Sequence, residues 1–323
     1  MKKLLFASVA MVAFAPSAFA QINASVYGVA DAGLAYHRSD VDRHRVTLES
    51  GMASGDSHLG FRGSEKLSGG LTAIFQLENG FGIDTGAAKQ GGRIFGRQAW
   101  VGLQGDFGTL RLGRQWTPLF LAVDAIDPFN NVLAGDATYW LGSNIFAIDL
   151  RMDNAVSYAI SAGPLLGEVA YAFGEVPGDS DAKRQIGGRL SYQQGALGLV
   201  LGHHTDNDAT GTGAAKASVA GATYAAGPVT AHIGYSIGKN TAAGLTAYDN
   251  RTGLVGITIR AGAGKVMASY IRSDDRTRAD RDANQLALGY IHSLSKRTSL
   301  YTSYAHVNVN DVQKLNVGIR HSF

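Results

Sequence analysis

The feature that most constrains this chain is a period of two. In Leu71-Thr-Ala-Ile-Phe-Gln-Leu-Glu78, Leu71, Ala73, Phe75 and Leu77 share one face, and Thr72, Gln76 and Glu78 share the other. Leu59 and Phe61 alternate with His58, Gly60, Arg62 and Ser64; Leu110 and Leu112 alternate with Thr109 and Arg111. Ile186, Leu190 and Tyr192 oppose Gln185, Arg189 and Ser191, and Leu315, Val317, Ile319 and Phe323 oppose Asn316, Arg320 and Ser322. Successive side chains of a strand point to opposite faces, so such stretches are strands with one apolar and one polar side. About sixteen recur, at 22–36, 46–66, 70–82, 95–104, 108–115, 153–162, 165–174, 184–193, 196–205, 216–226, 228–238, 251–260, 264–273, 283–293, 298–308 and 314–323.

The connections alternate between short and long. Tight turns fall at Leu67–Gly70, Gly105–Gly108, Ala162–Pro164, Gln194-Gly195 and Ala226–Pro228, with longer links at 37–45, 83–94, 175–183, 206–215, 239–250 and 274–282. The longest, about 116–152, lies between the segments at 108–115 and 153–162. No apolar run past Gln21 approaches the roughly 18 residues of a membrane helix. Charged residues make up 17% of the chain, below the roughly 25% of soluble domains, and glycine is abundant at 42 of 323. An even number of long amphipathic strands, with short turns on one side and long loops on the other, describes an all-β antiparallel transmembrane barrel. A soluble exported sandwich shares the period but has shorter strands. Aromatics near segment ends (Tyr27, Tyr36, Phe81, Trp100, Trp116, Tyr158, Tyr171, Phe173, Tyr290, Tyr301) read as interfacial girdles.

Residues 1–20 read as a signal peptide. Lys2 and Lys3 precede an apolar run from Leu4 to Ala15, and Ala18-Phe19-Ala20 is a small-x-small cleavage pattern. Cleavage between Ala20 and Gln21 leaves 21–323 as one barrel. Two of the 29 basic residues lie in this leader, so the remainder nearly balances the 26 acidic ones, and a nucleic-acid surface has no support. With Cys 0 there is no disulfide or thiol nucleophile. His203 and His204 are neighbours on a strand and so point apart, which argues against a metal pair. No G-x-S-x-G elbow is present, and neither an enzyme nor a cofactor is expected.

Seven pieces carry a family resemblance: Ser25–Gly33, Leu59–Glu65 with Gly69–Glu78, Phe95–Leu103, Phe107–Gln115, Asp153–Tyr158, Tyr290–Thr298 and Val317–Phe323. In order and spacing they resemble the general diffusion porins of Gram-negative outer membranes, of the β-proteobacterial and neisserial type, over essentially all of the chain after the leader. The resemblance implies a 16-stranded barrel in the outer membrane, a homotrimer, and a constriction loop (about 116–152) folded into the lumen. It implies passive diffusion of ions and small hydrophilic solutes, contact with outer-membrane lipid and lipopolysaccharide, and recognition of the C-terminal Phe323 by the insertion machinery. A surface adhesin or receptor barrel with a blocked lumen is the alternative.

A charge pattern at the constriction follows. His58, Arg62, Arg97, Arg111, Arg114 and Arg151 are expected on the wall, facing Asp124, Asp127 and Asp136 on the loop. His58 stands where the family commonly has arginine. The balance leans positive, so weak anion selectivity is expected, strengthening as His58 protonates near pH 6.5.

Overall fold

The computed structural model describes residues 23–41, 43–142, 148–242 and 248–323. The leader and its Ala20–Gln21 junction lie outside the described residues. The alternating segments form β1 (Asn23–Arg38), β2 (Arg45–Ser50), β3 (Ser57–Lys66), β4 (Thr72–Phe81), β5 (Gln98–Gly105), β6 (Gly108–Trp116), β7 (Arg151–Ala162), β8 (Leu165–Ala172), β9 (Gln185–Gln194) and β10 (Leu197–Asn207). They continue as β11 (Ala214–Ala226), β12 (Val229–Asn240), β13 (Tyr248–Ala261), β14 (Gly264–Asp275), β15 (Ala283–Ser293), β16 (Thr298–Val307) and β17 (Val312–Ser322). All pair antiparallel with their neighbours in one sheet.

The sheet closes on itself. One edge of β1 runs against β17, from Val29↔Ser322 to Arg38↔Gln313. Its other edge meets β2 (Ala32↔Ser50 to His37↔Arg45) and then β3 (Asn23↔Ser64 to Val29↔His58). β2 and β3 are therefore one stave, and the barrel has sixteen. The terminal residue completes the seam: Phe323 N–H donates to Gly28 O (3.0 Å) and Gly28 N–H to Phe323 O (3.1 Å). Closure pairs the backbone polar groups between strands, which a sheet in lipid requires.

The single strand expected over 46–66 is interrupted. At 51–56 the chain leaves the ladder and folds inward, with Gly51 at φ 79°. Asp31 holds this bulge, accepting from Ala53 N–H (2.7 Å), Ser54 Oγ (2.9 Å) and Tyr301 Oη (2.6 Å).

Side chains sort as the period demands. Val26, Phe61, Val101, Leu201, Val255, Leu286 and Val317 are exposed on the outer face, while Ser57, Glu78, Gln98, Ser236, Thr252, Ser269 and Asn316 are buried within. The aromatics divide otherwise than expected. Phe173 and Tyr290 face out, as do Tyr224, Tyr235, Tyr270 and Tyr304. Tyr27, Trp100, Trp116 and Tyr301 turn inward to polar partners, because they occupy the polar register of their strands.

The described part of the segment between β6 and β7, over 117–142, lies inside the barrel. It begins with α1 (Pro118–Asp124), whose cap Thr117 Oγ1 accepts from Phe120 N–H (3.1 Å), with Pro118 in the first turn. Leu119, Val123, Ile126 and Leu141 pack on the inward Val200, Val219, Leu254 and Ile271. Glycines make room for it. A Cβ on Gly221 or Gly234 would come 2.6 Å from Ile126 Cδ1, and one on Gly202 as close to Ala122. From there His232 Nδ1 meets Ile126 O (3.0 Å), Ala134 N–H donates to Ser303 Oγ (3.1 Å), and Leu133 N–H donates to Met52 O (2.6 Å) in the bulge. The loop thus lines the wall from β9 round to β16 and the bulge, leaving the lumen open against β3–β7.

Candidate functional site: the passage between loop and basic wall

Opposite the loop, β1, β3 and β4 and the approach to β5 bring a polar and aromatic set together. Arg62 Cζ lies 4.9 Å from the centroid of the Tyr27 ring. Tyr27 Oη donates to Glu78 Oε2 (2.7 Å), and Gln76 Nε2 donates to Tyr27 Oη (2.6 Å). His58 stands edge-on to Tyr27, and its Nδ1 lies 3.0 Å from Asp56 O, so the neutral ring donates there.

Arg97 stands just before β5 and is 6% exposed. Its Nε donates to Glu78 Oε1 (2.6 Å), and its Nη1 to Asp56 Oδ2 (3.1 Å) and Gly55 O (2.5 Å). Two carboxylates thus more than offset its charge and pin the bulge to the wall. Arg151 Nε donates to Arg97 O (3.0 Å), and its guanidinium lies 3.7 Å from the Trp116 centroid. Trp116 stacks in turn on Phe120 of α1, with centroids 4.2 Å apart. A cation over an aromatic face is attracted by the ring quadrupole without losing its charge. Arg111 rests in the same way over Trp100, at 4.9 Å.

Arg114 is placed differently from expectation. A register shift between Gly113 and Gln115 re-aims it, so that Nη1 bonds Asp153 Oδ1 (2.6 Å) and Nε donates to Gly96 O (2.7 Å). Arg93 shares the same carboxylate (2.8 Å). Asp153, expected only to start a strand, thereby offsets two arginines.

The loop acids also depart from the expected arrangement. Asp127 is 1% exposed, and its carboxylate accepts from Phe129 N–H (3.0 Å), Asn131 N–H (2.8 Å) and Ala137 N–H (3.0 Å). It staples the turn of the loop instead of facing the passage. Burial pushes its carboxyl up to about 7, against the three N–H bonds that favour the anion. Asp136 Oδ1 accepts from Thr138 N–H (2.7 Å) and the Thr138 hydroxyl, and burial raises this carboxyl too. Asp124 is half-buried, raised by burial, with Arg189 acting in the opposite direction. Among the described residues, Arg62, Arg111 and Arg151 have no carboxylate partner. Arg320, opposite Asp31 in the register, also has none and reaches Ala53 O (3.4 Å). Sequence reasoning missed Arg320, Asp56 and the inward aromatics. The signals were Gly51-Met-Ala-Ser-Gly-Asp56, which breaks the alternation, and Trp100 in register with Gln98.

Comparison with known proteins agrees with this geometry. Residues 7–312 match the model of a family described as Gram-negative porin. The chain belongs to the Gram-negative porin family. The porin is 31% identical over 338 residues to outer membrane porin protein 32 of Delftia acidovorans, covering 98% of this chain and 92% of that one. It is 29% identical to an outer membrane porin protein of Bordetella pertussis over the full length of both. A solved anion-selective porin from Comamonas acidovorans superposes with a TM-score of 0.82 at 29% identity, covering 94% of this porin and all of that one. The porin is an outer-membrane barrel whose water-filled channel passes ions and small hydrophilic solutes, and nothing in its geometry favours the blocked-receptor alternative. Sixteen staves enclose an aqueous lumen, where about eight would be filled by side chains.

Proposed function

We propose that this porin works by passive diffusion with a lean toward anions, set where solutes pass between the docked loop and the wall of β3–β7. One observation carries the reading. Among the described residues, the charges left without an opposite partner on that wall are cationic (Arg62, Arg111, Arg151), whereas Asp127, and Asp136 through its Oδ1, accept from the loop's own donors. Arg97 and Arg114 are offset by Glu78, Asp56 and Asp153 and act as scaffold. The transverse field is therefore weaker than nine facing charges would give. Its positive side stands at neutral pH without His58, and Asp124 is its remaining acidic counterpart. The name of the Comamonas relative accords with this lean. Stepwise conductance in planar bilayers tests the reading; solute-independent closure would overturn it.

The same reading includes export by a leader cleaved between Ala20 and Gln21, and assembly as a homotrimer with the 83–94 loop reaching a neighbour. A band near three monomer masses in unheated detergent electrophoresis, and Gln21 as the mature N-terminus, are the expected results. The exposed aliphatic belt meets lipid, and the long-loop rim meets lipopolysaccharide. Phe323 is outward and last in the seam, where the insertion machinery would read it.

A further inference from the structure

On the long-loop side of the lumen the structure holds a second, smaller space. The returning limb of the loop, 133–140, leaves a cavity of about 440 Å³ against β15, β16, β17 and the turn at 308–311. That volume lies within the roughly 300–1,000 Å³ of small-molecule sites. Part of its wall is apolar: Trp140, with Tyr139 edge-on at 4.8 Å, faces Val307 and Val312.

Opposite charges line the same space, Asp136 from the loop and Lys314 from β17. Asp136 Oδ1 is occupied by Thr138, but Oδ2 accepts no hydrogen bond among the described residues. Lys314 is exposed and makes no ion pair among the described residues. Gln285 adds a donor. Its Oε1 accepts from Trp140 Nε1 (2.8 Å), and because an indole only donates, this fixes which way the amide faces. Gln285 Nε2 is then left buried and without a partner among the described residues, although the side chain is only 5% exposed. Buried amide donors are nearly always paired, and this one belongs to the wall of an open cavity.

An apolar surface flanked by one acid on one side, and a cation with an unused donor on the other, is the complement of a zwitterion. We infer that the cavity is a reception site for α-amino acids with apolar side chains. Lys314 and Gln285 Nε2 receive the carboxylate, Asp136 Oδ2 receives the ammonium, and the side chain lies on Trp140. An acid alone would meet Asp136 unpaired, and an amine alone would meet Lys314. Capture at the mouth raises the local concentration of such solutes before they reach the passage. The site goes beyond the diffusion reading, since a channel could conduct without it.

The test is calorimetric titration of the intact porin in detergent with L-leucine, 4-methylpentanoate (the same skeleton without ammonium) and 3-methylbutylamine (without carboxylate). Saturable leucine binding is expected, with both single-charge analogues at least tenfold weaker. Lys314→Gln should weaken leucine at least tenfold. Gln285→Met should weaken it too, and carries the same test if the first variant yields no folded barrel by circular dichroism. No saturable leucine heat, 4-methylpentanoate binding as tightly as leucine, or leucine binding unchanged in either folded variant would overturn the site. Bilayer conductance of the same preparation reads the channel separately, so failure of one is distinguishable from failure of the other.

Discussion

Replacing Asp127 by alanine isolates the staple from the rest of the loop. The carboxylate accepts three backbone N–H groups, from Phe129, Asn131 and Ala137, across the turn that reaches β14–β16. A hydrogen bond contributes about 0.5–1.5 kcal/mol net, and about 1.5–3 kcal/mol when one partner is charged. With a carboxyl titrating at about 7, three such bonds amount to roughly 3–5 kcal/mol near neutral pH. Against this stand Leu119, Val123, Ile126 and Leu141, each contributing about 1.5–3 kcal/mol through burial on the wall. The apolar anchor is the larger, so the loop stays inside the barrel. Only its tip, 128–137, loosens, by a factor of about 100 or more in its open fraction at about 1.4 kcal/mol per tenfold. Single-channel recordings should then show a higher mean conductance and excess open-channel noise, while the heat resistance of the barrel is unchanged. Wild-type conductance with wild-type noise would refute the assignment of Asp127 as the staple. Collapse to an unrestricted conductance would show that the apolar anchor had been overestimated.

Further outcomes follow from the same geometry. Because burial raises Asp127 from its ordinary 3.8 to about 7, the stability that comes from keeping this carboxyl protonated is fully present below about 4 and is lost as pH rises through about 7, the three N–H bonds alone remaining; loop noise should therefore be lower at pH 5 than at pH 8, and Asp127→Asn should abolish that difference. Gly234→Leu places a side chain where Ile126 sits, and should displace the loop and raise conductance without altering the barrel's circular dichroism. Glu78→Gln removes one of the two carboxylates on Arg97 and should shift the zero-current potential further toward anions; a shift toward cations would contradict the pairing. Phe323→Ala keeps the backbone bonds of the seam and should lower insertion in cells more than it lowers the heat resistance of barrels already assembled, and equal insertion of both would count against its being read by the insertion machinery.

The barrel was legible because alternation is a repeated, redundant signal. Each stave buries one face and wets the other, so Leu315, Val317 and Ile319 could face only outward once the period was seen. The position of the long loop was equally plain from its length. What could not be read were features that turn on a local departure from the period. The inward bulge at 51–56 needs Asp31 and Tyr301, which are 270 residues apart in sequence. The shift at Gly113 and Gln115 swings Arg114 toward Asp153, and strict alternation has no term for a bulge. Asp127 looked like a charge for the passage because its sequence shows a carboxylate but not the three N–H groups the turn directs at it. Arg62 and Arg111 were placed correctly on the polar face. The aromatics beneath them, Tyr27 and Trp100, were assigned to the membrane interface by their position near strand ends, although their register is polar.

The most direct measurement of the central claim is the zero-current potential of the reconstituted porin in a salt gradient at neutral pH, for the wild type and for Arg62→Gln/Arg111→Gln/Arg151→Gln. The unpartnered wall cations predict an anion-selective sign for the wild type, and loss or reversal of that sign in the triple variant. A cation-selective wild type, or a triple variant as anion-selective as the wild type, would contradict the account.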